Sequence, residues 1–168
     1  MKSLPAGALV ALALLVIPVS GVLVGCSSAA AADLQVGDCL KVGGPPDRPE
    51  TTEVECGSQE SNFKVVGTVE NADDCFSDVD SYYSARSSFS GSGPTICMDI
   101  DWVVDGCMSV DPDNARDPIR VDCNDASAPN RQRATQIMQE VANVDQCTTG
   151  LGYAYDERQF TVCVEDVS

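Results

Sequence analysis

The sequence predicts a β-rich α+β protein built from two tandem, small, disulfide-stapled modules. Three observations predict it. Eight cysteines fall into two matching sets of four, and short β-branched segments alternate with polar, turn-forming loops. After the third cysteine, a polar stretch from Phe76 to Ser88 is compatible with a short helix.

Residues 1–25 come first and are read as a leader, outside the fold. Met1-Lys2 supply a positive end, residues 4–25 carry no charge, and Leu23-Val24-Gly25-Cys26 has the form of a lipobox. This predicts cleavage before Cys26 and a diacylglyceryl (palmitate-type) chain on its thiol. Two rival readings use the same residues. The apolar run is about long enough to span a bilayer uncleaved, and ordinary cleavage within Ala29–Ala32 would release a soluble chain. All three put the remainder on the extracytoplasmic side. Residues 26–33 are then the lipid anchor and a short linker.

The modules follow at 34–100 and 101–168. Their cysteines are Cys39, Cys56, Cys75 and Cys97, then Cys107, Cys123, Cys147 and Cys163, with corresponding members 68, 67, 72 and 66 residues apart. Neighbouring residues match as well. Val36-Gly37-Asp38-Cys39-Leu40 answers Val104-Asp105-Gly106-Cys107-Met108, and Val54-Glu55-Cys56 answers Val121-Asp122-Cys123. Asn71-Ala72-Asp73-Asp74-Cys75 answers Asn143-Val144-Asp145-Gln146-Cys147, and Ile96-Cys97-Met98-Asp99 answers Val162-Cys163-Val164-Glu165. Counted from the third cysteine, Tyr83 and Arg86 fall where Tyr155 and Arg158 do.

In each module a short strand carries the first cysteine and a second strand ends in the second. Phe63 to Val69 alternates with period two and reads as a strand. Its counterpart, Thr135 to Val141, fits helical as well as strand spacing. Closing strands are expected at Thr95 to Met98 and Phe160 to Val164. Ser87 to Pro94, rich in Ser and Gly, has no full counterpart and reads as a flexible excursion. A module of this size buries too little apolar surface to be comfortable alone. If each closes its own set, first with second and third with fourth, the bridges are Cys39–Cys56, Cys75–Cys97, Cys107–Cys123 and Cys147–Cys163.

From Cys26 the chain has 143 residues, and without Lys2 it carries 9 Lys+Arg against 26 Asp+Glu, a net charge of −17. Such an acidic surface repels nucleic acid and anionic headgroups. The sequence contains no histidine. That excludes Ser-His-Asp and Cys-His nucleophile systems and the usual zinc sites. Setting Cys26 aside for lipid leaves an even eight cysteines, as an oxidised, exported framework needs.

The Gly-Asp-Cys opening, the Val-Glu-Cys closing, the Lys64-Val65-Val66-Gly67 strand and the lipobox together resemble the LppU-type lipoproteins of actinobacteria. They are similar, more loosely, to septum-formation-like extracytoplasmic repeats. The resemblance covers about residues 33–166. It implies a membrane-anchored envelope protein and brings no catalytic residues. The second module departs from the pattern at Asp105-Gly106 and lacks a Val-Val-Gly strand.

The candidate residues point to binding. Asp38 and Asp105 read as turn residues. Asp111-Pro112-Asp113-Asn114 with Asp117 lacks the glycine and glutamate of an EF-hand. No metal, cofactor or catalytic site is expected. A Tyr-x-x-Arg spacing puts both side chains on one face of a helical turn, which makes Tyr83, Arg86, Tyr155 and Arg158 candidate interaction residues. The alternative is that each Tyr caps its core while the Arg pairs with a local acid. Trp102, the only tryptophan, lies at the junction and reads as a packing wedge between the modules, with a ligand platform as the alternative. The expected function is a non-enzymatic, membrane-anchored binding or scaffold protein, with an envelope protein or the cell wall as partner. The alternatives are a carrier of a small ligand or cation, or a small carboxylate-dependent hydrolase.

Overall fold

The computed structural model describes residues 33–45, 49–84 and 93–167. The leader, Cys26, Arg86 and nearly all of the Ser/Gly-rich excursion lie outside the described residues. Among the described residues, ten strands form two antiparallel sheets. The first contains β1 (Cys39–Gly43), β2 (Glu50–Val54), β3 (Phe63–Val69), β4 (Ser81–Ser84) and β5 (Thr95–Ile100). The second contains β6 (Cys107–Ser109), β7 (Ile119–Val121), β8 (Arg131–Gln139), β9 (Gly152–Tyr155) and β10 (Phe160–Val167).

Strand order is β2-β1-β3-β5-β4 in one sheet and β7-β6-β8-β10-β9 in the other, the same order twice. Even the irregularity repeats. The β3–β5 ladder skips Val66, and the β8–β10 ladder skips Thr135, so a bulge sits at the same position of each sheet. The Gly-Asp to Asp-Gly exchange also finds its reason. Gly37 and Asp105 occupy equivalent sites with φ of 105° and 68°. Each donates its amide to the matching strand, Gly37 N to Val65 O at 2.9 Å and Asp105 N to Ala134 O at 2.8 Å. Aspartate is among the few residues that tolerate that conformation.

The α+β expectation is corrected: the chain is nearly all β. The only helical elements among the described residues are two single 3-10 turns, Ala72–Asp74 and Val144–Gln146. The expected helix after Cys75 is instead turn followed by β4, and Tyr155 closes β9. Tyr155 and Arg158 therefore lie on no helical turn. The cause is tertiary. Cys75–Cys97 and Cys147–Cys163 tie the chain just before β4 and β9 to the closing strands β5 and β10. The stretch that follows satisfies its backbone groups by pairing there. The ambiguous Thr135 to Val141 is strand as far as Gln139, the end of the nine-residue β8, and leaves the sheet in a turn at Glu140.

All eight cysteines of the described residues are bridged within their own half, with Cα–Cα distances of 5.0, 5.7, 5.2 and 5.4 Å. The closed loops span 17, 22, 16 and 16 residues, each worth about 3 kcal/mol in the chain-entropy account.

The halves share one core. Leu40, Phe63, Val65, Ile96 and Met98 of the first sheet cluster with Met108, Ala134, Tyr155, Val162 and Val164 of the second. Trp102 joins them at the crossing between the sheets, 8 % exposed, with its ring centroid 5.4 Å from that of Tyr153.

Candidate functional site

The junction of the halves gathers the charged side chains that a β-rich core would otherwise exclude. The turn after β9 carries Arg158 across to the first half. Its guanidinium donates to Asp78 Oδ1 through Nε (2.8 Å) and to both Asp99 oxygens through Nη1 and Nη2 (2.5 and 2.9 Å). A further bond goes from Nη2 to the Asp78 carbonyl (2.9 Å). The guanidinium lies 5.1, 5.3 and 5.4 Å from the ring centroids of Tyr155, Phe160 and Phe76, within cation–π range. Glu157, next to it, accepts from Ser77 N and Oγ at 2.7 and 3.0 Å.

Asp80 stands behind this clamp. Its Oδ2 accepts from Ile100 N of the first half and the Tyr155 hydroxyl of the second, both at 2.8 Å. On the other flank, Asp101 Oδ2 accepts from Gly57 N (2.6 Å), Ser61 Oγ (2.6 Å) and Arg120 Nη2 (3.1 Å).

Burial and pairing pull the carboxylates apart electrostatically. Burial pushes Asp80 up to about 6 against the bonds from Ile100 and Tyr155, with Asp99 nearby adding to the rise. Burial also raises Asp99, outweighing the bonds from Arg158. Asp78 is half-buried, and against that desolvation the Arg158 bonds and charge prevail and hold it below the usual carboxylate range. Burial raises the Tyr155 hydroxyl, and the Asp80 charge adds to the rise. Burial opposes the charge on Arg158, but its bonds to Asp99 and Asp78 raise its basicity.

Beside the clamp lies a cavity of about 260 Å³. Its walls include Val66, Trp102, Ile137, Tyr155, Phe160 and Val162, with Asp99 and Arg158 on one side and Lys64 exposed at the edge. The Trp102 indole N–H is buried without a hydrogen-bond partner among the described residues.

The four interaction candidates fare differently. Arg158 is the centre of the inter-half clamp. Tyr155, 2 % exposed, is a core residue with its hydroxyl committed to Asp80. Tyr83 is half-buried in β4 and packs against the core. Arg86 lies outside the described residues. Strand register also shows that Tyr83, opposite Ile96, is equivalent to Tyr153, opposite Val162. Tyr155 sits two residues further on, so counting from the third cysteine aligned the wrong pair. Asp78, Asp80 and Asp99 escaped sequence reasoning, although Asp99 left a trace: a lone acid within the apolar run Ile96 to Ile100. Asp111 serves a local turn, accepting from Arg116 Nε at 2.9 Å and Asp113 N at 3.2 Å.

No family model, curated protein or solved structure matches the chain.

Proposed function

We propose that this chain works outside the cytoplasm, held to a membrane by acyl chains on Cys26, as a non-catalytic binding or scaffold protein of the cell envelope. The observation that carries this reading is the complete pairing of the eight described cysteines into four bridges. Disulfides persist in oxidising compartments and are rare where thiols are kept reduced. The lipobox before Cys26 supplies the anchor, and the linker of residues 27–33 spans at most about 25 Å when extended, which holds the sheets near the membrane. Two acyl chains give firm attachment where a single one is marginal.

A second reading, a carrier of a small ligand, is favoured by the cavity at the junction and fits the same location. Intact mass of the purified native protein tests the first reading. The expected result is a chain beginning at acylated Cys26, with no titratable thiol and a gain of about 8 Da on reduction, two hydrogens for each of the four bridges. A retained leader, no acyl mass and free thiols would overturn it.

A further inference from the structure

The duplication supplies an internal control for the junction cavity. On the second sheet, Arg133 and Glu165 stand opposite each other in the β8–β10 ladder and pair at 3.0 Å. Their equivalents on the first sheet, Lys64 and Asp99, also stand directly opposite. There the pair is not made, because Arg158 takes both oxygens of Asp99. Lys64 is left exposed at the cavity edge with no ion pair among the described residues.

The other charges lining the cavity are already answered, Arg158 by Asp78 and Asp99, and Asp101 by Arg120. The bulge residue makes a second difference. On the second sheet the Thr135 hydroxyl bonds Cys163 O at 3.2 Å, whereas its equivalent, Val66, presents an apolar side chain to the cavity. The result is an apolar and aromatic recess with a single unanswered cation at its rim.

The geometry points to a binding site for a small amphiphile with a compact apolar or aromatic body and one carboxylate. The body packs among Trp102, Phe160 and Val162, and the carboxylate meets the Lys64 ammonium. At about 260 Å³ the cavity falls just below the usual range of about 300–1,000 Å³ for drug-sized ligands, which limits the body to about one ring or a short branched chain. The inference rests on the reading of the chain as a binding protein. The mass measurement tests export and the titration below tests the site, so either can fail alone.

Trp102 is the only tryptophan and lines the cavity, so its fluorescence reports occupancy. The oxidised full-length protein in nanodiscs is titrated with 3-phenylpropanoate, with the isosteric 3-phenylpropan-1-ol and with 3-phenylpropylammonium. Empty nanodiscs correct for partitioning. The carboxylate should give a saturable change with Kd below about 1 mM, about 3- to 10-fold tighter than the alcohol, and the ammonium should be weakest. Lys64→Gln should bring the carboxylate to the level of the alcohol. Arg133→Gln, at the equivalent position of the second sheet, should leave binding unchanged. No saturable change with any probe, tightest binding by the ammonium, or a carboxylate preference that survives Lys64→Gln would overturn the proposal.

Discussion

Replacing Arg158 with methionine keeps the long apolar stem and removes the charge that holds the halves together. Four side-chain hydrogen bonds to Asp78 and Asp99 disappear. The side chains involved are 10–14 % exposed, so the two carboxylates stay largely desolvated without a counter-charge. Removing one partner of a buried pair costs about 3–5 kcal/mol. Partial solvent contact and the option of protonating Asp99 place this case at about 3–4 kcal/mol near pH 7.5. At roughly 3 °C per kcal/mol, the midpoint should fall by about 10 °C.

Urea unfolding followed by Trp102 fluorescence, with disulfides intact, measures the loss directly. Burial already raises Asp99, and losing Arg158 removes the bonds and charge that oppose the rise, so the penalty should shrink as pH is lowered. Asp99→Asn combined with Arg158→Met should recover about half of the loss, because one stranded charge is gone. A single-variant loss under about 1 kcal/mol, or a double variant no better than the single, would refute the clamp as the element joining the halves.

Two further predictions follow from the same physics. Asp80 titrates near 6 in the folded protein against 3.8 for the free group. Its folded value is raised, so stability is full below about pH 4, falls as pH rises from there through about 6, and changes no further above that. Asp80→Asn keeps an acceptor for Ile100 N and the Tyr155 hydroxyl. Asp80 is exposed as a residue, so solvent screens the effect, and the variant should be stabilised at pH 7.5 by only about 1 kcal/mol, with the gain gone by about pH 4. Denaturation curves across that range check it, and a destabilised variant at pH 7.5 would contradict it. Separately, a Cβ on Gly152 would lie 2.5 Å from the Val162 carbonyl oxygen and 3.2 Å from Cys147 Sγ, whereas one on Gly43 meets nothing within 4 Å. Gly152→Ala should cost about 2–3 kcal/mol and Gly43→Ala should be near neutral, as thermal melts of the two will show.

The duplication and its bridges were legible because cysteines are sparse and each must find a partner at fixed reach. The position of β3 was legible from its alternation. The edge strands β4 and β9 were not. Ser81-Tyr82-Tyr83-Ser84 has no periodic signature of its own and becomes a strand because the bridge from Cys75 delivers the chain alongside β5. The site was legible only in part. Arg158 stood out by its spacing, but its partners Asp78 and Asp99 lie about 60–80 residues away and meet it through the docking of two sheets. Local sequence does not encode that geometry. Lys64 looks like an ordinary solvated lysine until its equivalent Arg133 is seen paired and its own partner taken.

The two halves form one cooperative unit whose junction builds the site. Scanning calorimetry of the oxidised full-length protein tests it most directly. A single transition, with calorimetric and van't Hoff enthalpies in a ratio near one, is the result expected of a shared core. Two separable transitions, or one that Arg158→Met leaves unmoved, would contradict it.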